Sequence, residues 1–202
     1  MLIVGGVSIV RSRTVSVGAV LLAAAYAIFA IFWAPRIVYG FAYLGWRGMI
    51  GALGGIGQEA IVIAAVAILY AQRVTRGARW AFGLSTIAFG VAHLSNIADI
   101  GRMVPRFVPL GGHVWAVITG IAFILAGIAI LSGILDVVAA RLLTLMLAVF
   151  SALALVPNLV EFLHYESAWG ANVYNLTAIG AAWLLADYLS VTRVLTSRFV
   201  RQ

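Results

Sequence analysis

Cysteine and lysine are both missing from this 202-residue chain, and all thirteen basic residues are arginine. Without lysine there can be no Schiff base to retinal or another carbonyl ligand. Without cysteine there is no dithiol exchange, no thiolate-held iron–sulfur cluster and no thiolate copper site. Charge is scarce too: 9% of the residues are charged and 64% are hydrophobic, whereas a soluble domain is roughly one quarter charged. So few charges cannot cover a soluble domain of this length, and the outer face is expected to meet lipid. In a soluble protein a net charge of +7 and a pI near 10.6 would point to nucleic acid. Here the arginines sit at the ends of apolar runs, where anionic lipid headgroups are the expected partner and nucleic acid is not. The chain carries no phosphate-binding loop, nucleophile elbow, H-E-x-x-H or dinucleotide fingerprint.

What is present is apolar length. A bilayer core about 30 Å thick needs about 20 apolar residues per helix. Six stretches meet that length: Val15–Ala34, Met49–Tyr70, Trp80–Ile100, His113–Leu131, Val138–Pro157 and Ala171–Leu189. The expected fold is therefore all-α and polytopic, with six transmembrane helices. Arg11 and Arg13 before the first stretch also fit a signal peptide, but its length favours a retained helix. With six spans, Arg11, Arg13, Arg73, Arg76, Arg79, Arg141, Arg193, Arg198 and Arg201 fall on one side, and Arg36, Arg47, Arg102 and Arg106 on the other. That bias predicts a bacterial-type inner membrane protein with both termini cytoplasmic. The tail from Ser190 alternates apolar residues with arginine, as expected of a short helix on the cytoplasmic leaflet.

The polar residues then gather towards the outer half. Glu59 lies about ten residues into the second span, where a carboxylate costs about 2.5–3.5 kcal/mol and should face the bundle. It is read as a proton-handling or ligand-binding acid, or more plainly as an interhelical hydrogen-bonding group. Gly51 and Gly55 ahead of it form a small-xxx-small pair for close helix contact. His93 and Asn96, with Gly90 and Thr86 one and two turns earlier, make one polar stripe that Asp99 extends outward. Such a histidine shuttles protons, binds a metal, or bonds to a neighbouring helix. "RMVPRFVPLGGHVW" reads as a rigid turn through Pro105 and Pro109, leaving His113 and Trp115 at interfacial depth. Glu161 and His164 form a single E-x-x-H, weak candidates for a metal, since di-iron bundles use two such pairs with two further glutamates. A bis-histidine haem would need two histidines at matching depth on facing helices, and haem is not expected. Asn175-Leu176-Thr177 matches a glycosylation acceptor but lies inside a predicted span.

The motifs "AFGLSTIAFGVAHL", "MVPRFVPLGGHVWAVITGIAFILAGIAIL", "AARLLTLMLAVFSALALVPNLVEF" and "YNLTAIGAAWLLADYL" follow one another in an order that resembles the DoxX-like family of small membrane proteins. The resemblance spans the last four predicted helices, residues 80–190, and implies a four-helix bundle there. Residues 1–79 precede it as a two-helix hairpin, and residues 191–202 follow as a basic cytoplasmic tail. His93, Pro105, Pro109, Trp115, Thr119, Gly120 and Gly127 match the family's pattern. Leu94 stands where the family has an aromatic, and Leu155 where it often has a second histidine. Family members are linked to thiosulfate:quinone oxidoreduction and to membrane complexes that handle sulfur or oxidative stress. The resemblance thus implies a redox-linked membrane subunit associated with quinone and with a periplasmic or membrane oxidoreductase. On that reading Glu59, His93 and Asp99 are the candidate catalytic groups, and Asn96, His113 and Trp115 the candidates for holding the cofactor. Two other readings stay open: a small-solute or ion transporter, which would need an oligomer to form a pore, and a non-catalytic anchor or assembly partner.

Overall fold

A computed structural model describes residues 1–199, with side chains as far as residue 194. The described chain is helical, with no strand. Its elements are α1 (Leu2–Ile9), α2 (Val15–Ala71), α3 (Arg76–Ser95), α4 (Ile97–Met103), α5 (Gly112–Ser132), α6 (Asp136–Phe150), a π-helical turn (Ser151–Leu155), α7 (Val156–Glu161) and α8 (Glu166–Phe199). α2, α5 and the run Asp136–Glu161 are each long and apolar enough to cross a membrane, and α3 with α4 makes a fourth if the bent pair counts as one span.

α2 contains two of the six expected spans. Its 57 residues would be about 85 Å long if straight. Instead the backbone reverses at Gly45, where φ is 61° and ψ −145°, a conformation open to glycine because it has no Cβ. Gly40 then lies against Gly48, and the Trp33 ring against Gly55. Ala19, Leu22 and Val66 share a buried cluster nearer the far end. These contacts are disposed evenly about residue 44, so α2 is a hairpin with two antiparallel arms.

The expected third span, Trp80–Ile100, is two pieces. α3 ends at Ser95 and α4 leaves at 94° to it. Asn96 makes the break: its side-chain amide donates to the Ala92 carbonyl at 3.0 Å, and its backbone N–H points to the carbonyls of Ala92 and His93. An asparagine that bonds the preceding turn in this way competes with helix continuation. The expected sixth span, Ala171–Leu189, lies inside α8, which is not among the runs apolar enough to cross because Asn172, Asn175, Thr177 and Asp187 interrupt it. Nor do the residues from Ser190 form a separate surface helix, since α8 continues unbroken through Phe199. Residues 200–202 lie outside the described residues.

α3 and α5 pack antiparallel at backbone contact. A Cβ on Gly90 would sit 2.6 Å from the Gly120 carbonyl oxygen, and one on Gly127 would sit 2.6 Å from that of Gly83. The two glycine pairs are seven residues apart on both helices, so they return to the same face after two turns. Small residues at such a seam let helices approach without a side chain between them. Around this pair α2, α6 and α8 close a core that includes Ile68, Phe82, Ile130 and Leu185, each essentially inaccessible.

One end of the bundle is tied by ions. Asp136, in the first turn of α6 and 2% exposed, accepts from Arg79 of α3 at 2.7 Å and from Arg193 of α8 at 2.5 Å. Arg79 also donates to the Ile130 carbonyl, and Arg193 to that of Gly133, both at 2.8 Å. One carboxylate therefore joins the ends of four helices. Asp136→Asn should lower stability by about 2 kcal/mol, below the 3–5 kcal/mol of a fully buried pair, because both arginines reach solvent. Arg193→Ala should cost under about 1 kcal/mol, as for a largely exposed pair. Thermal unfolding in detergent measures both, and the reverse order would contradict a network centred on Asp136.

Candidate functional site

Between the second arm of α2 and helices α3, α5, α6 and α8 lies a chamber of about 420 Å³. Its walls are mainly apolar: Phe82 and Phe89 of α3, Phe123 of α5, and Leu143, Met146 and Leu147 of α6. α3 presents Phe82, Thr86, Phe89 and His93 to it, one helical stripe. The glycine seam on a neighbouring face of α3 fixes the rotation that turns this stripe inward.

Six polar side chains reach the chamber: Gln58, Thr86, His93, Thr119, Tyr174 and Asn175. Several are already committed to backbone carbonyls. Thr86 donates to Phe82 and Thr119 to Trp115, both at 2.8 Å, which leaves their oxygens able to accept. Asn175 donates to the Leu147 carbonyl at 3.0 Å, and Asn172 to that of Leu155 at 2.8 Å. Those two amides satisfy one carbonyl in the turn of helix before the π-helical turn and one at its last residue, where the α-helical ladder is interrupted.

His93 Nδ1 lies 2.9 Å from the Phe89 carbonyl oxygen. A carbonyl only accepts, so Nδ1 carries the proton and the neutral ring offers Nε2 as an acceptor. Its ring stacks at a tilt on Phe123, centroids 4.9 Å apart. Tyr174 provides the opposite function: its hydroxyl is buried and has no hydrogen-bond partner among the described residues. The chamber thus has an imidazole acceptor among aromatic walls, and an orphan hydroxyl is buried within one of those walls, on the side of Glu59.

Glu59 lies behind this wall, between the α2 hairpin and α8. It is 8% exposed, and its Oε2 is buried without a partner. Trp33, Tyr26 and Tyr174 are its polar neighbours. The Trp33 ring is fixed in turn by Gly55 on one side and by the Arg36 guanidinium, 4.5 Å from its centroid. Tyr174 is therefore the residue that both lines the chamber and faces Glu59.

The other residues singled out by the sequence do not converge here. The bend at Asn96 carries Asp99 off the α3 stripe, onto the exposed side of α4, where it pairs with Arg102. Asn96 is occupied in ending α3. His113 is exposed at the start of α5. Trp115 donates to the Pro109 carbonyl at 2.7 Å and walls a neighbouring hollow instead of the chamber. Glu161 ends α7 and His164 lies in the turn beyond it, both exposed. Among the described residues no group of three or more histidine, aspartate or glutamate side chains is placed to hold a metal ion. No family model matches the chain, and no curated protein or solved structure is detectably similar to it.

Sequence reasoning passed over Tyr174. The available signal was its place between Asn172 and Asn175 in an otherwise apolar run, since three adjacent polar positions cannot all face lipid. A buried hydroxyl without a partner costs about 1–3 kcal/mol. Tyr174→Phe should therefore raise the unfolding temperature of the ligand-stripped protein by a few degrees. A fall would mean that the hydroxyl already has a structural partner.

Proposed function

We propose that this chain is a six-span inner-membrane protein of DoxX-like type that holds a quinone in its central chamber and serves a redox-linked membrane complex. The observation that carries this reading is one apolar chamber lined by His93, Gln58 and the flat faces of Phe89 and Phe123, with the unpartnered Tyr174 hydroxyl buried in its wall. A chamber of this volume falls in the usual range for small-molecule sites, about 300–1,000 Å³, with apolar walls and a few convergent polar groups. When bound, a quinone supplies two-electron, two-proton redox chemistry. The Gln58 amide would donate to a carbonyl of the oxidised ring, the Tyr174 O–H would do so on turning out of the wall, and His93 Nε2 would accept from the hydroxyl of the reduced one. Phe89 and Phe123 offer flat faces to the ring. Glu59 stands behind Tyr174 as a proton store.

Six crossings follow if the two arms of α2 each span the bilayer and α8 spans beside the apolar helices. The arginine bias and the Asp136 network then lie on the cytoplasmic side, with the Gly45 turn and α4 outside. Because the chain has no native cysteine, single cysteines report topology directly. Positions 105 and 164 should react with an impermeant thiol reagent from outside and position 134 should not; labelling of 105 and 164 on different sides would end the six-span reading. The apolar walls disfavour a path for a water-soluble solute, which sets the transporter reading below this one.

Quinone extracted from protein purified out of native membranes should approach one equivalent, and His93→Leu should reduce it at least tenfold. Absence of any quinone, with no thermal shift on adding one, would overturn the assignment.

A further inference from the structure

A second hollow, of about 350 Å³, adjoins the chamber. Thr119, Met146 and Phe150 line both, so these three side chains form the partition between them. Apart from Thr119, backbone and the indole N–H of Trp115, which is held by the Pro109 carbonyl, the second hollow is apolar. Leu142, Leu145 and Val149 of α6 form one wall, and each is about half exposed on the outer surface of the bundle. Ile100 and Val104 close it from above, which they reach because α4 turns 94° away from α3 and lies across the gap between α5 and α6. The π-helical turn begins directly after Phe150. It gives Leu153 and Ala154 to the second hollow and Leu155 to the chamber.

We propose that this second hollow holds the linear hydrocarbon chain of the ligand whose ring occupies the chamber, and that the ligand enters sideways from the lipid between α5 and α6. This rests on the ring-binding reading and adds to it a ligand class: a flat polar head bearing a prenyl or alkyl tail. Continuity with the chamber fixes the occupant. A free acyl chain in the second hollow would leave the polar groups of the chamber unmet, whereas a tailed ring meets both environments at once. Met146, unbranched and adaptable, and the Phe150 ring are the side chains that must turn aside for the head to pass.

The test uses ligand-stripped full-length protein in detergent and two probes, a benzoquinone without a side chain and the same ring carrying a decyl chain. Binding is followed by thermal shift and by tryptophan quenching. Leu145→Trp and Val149→Trp, at exposed positions where a larger side chain need not disturb folding, each fill the second hollow. Either variant should weaken the decyl compound at least tenfold and leave the tail-less ring within twofold, at an unchanged unfolding temperature. Equal losses for both probes, or no loss for either in both variants, would overturn the tail site while leaving ring binding in place. Failure of the wild-type protein to bind either probe would remove the ring reading itself, and the tail site with it.

Discussion

Two backbones in contact govern the rest of this architecture. Where Gly83 meets Gly127 and Gly90 meets Gly120 there is no room for a methyl group, so α3 and α5 have one possible rotation about their own axes. Two contacts separated by two helical turns define a line, and a line fixes both register and facing. The aromatic stripe of α3 is thereby directed into the bundle, where α6 and α8 complete a chamber around it. In an apolar solvent this seam matters more than it would in water, because lipid competes equally for apolar side chains and close van der Waals fit becomes the main source of helix affinity.

At one end the bundle is tied by charge, beyond the apolar core that floors the chamber. Asp136 takes arginines from α3 and α8 on its two oxygens, while the same arginines hold carbonyls at the end of α5. Each of those carbonyls belongs to a helix end or the turn beyond it, where backbone acceptors lack intrahelical partners. The network thus serves two physical needs at once, neutralising a buried carboxylate and capping a helix.

Much of the gross arrangement was legible in the residues. Four of the six apolar stretches fall within single helices, the third is broken at Asn96 and the fifth runs through the π-helical turn into α7; in such a composition the run of apolar residues is itself the signal. Two features were hidden for identifiable reasons. Asn96 looked like part of a helical stripe, since spacing alone cannot reveal that its amide turns back on Ala92 and ends the helix; Asp99 was misplaced as a result. The role of Asp136 is hidden because its partners are 57 residues away on either side, a separation that no local pattern exposes. Of the site residues read from the sequence, the structure places His93 on the chamber wall and Glu59 just behind it. The remaining polar residues, His113, Glu161 and His164, lie in the surface segments where hydrophilic side chains are cheapest to place. Tyr174 was missed because a tyrosine in an apolar run usually reads as an aromatic anchor, and its unpaired hydroxyl becomes visible only in three dimensions.

The bend at Asn96 has a mechanical implication. With α3, α5, α6 and α8 riveted together around Asp136, relative movement of these rods is most restricted at that extremity. At the opposite extremity α4 leans across a gap without ionic ties to α5 or α6 among the described residues. Parting these rods at the carboxylate must therefore break two ion pairs, whereas parting α5 from α6 beneath α4 breaks none among the described residues.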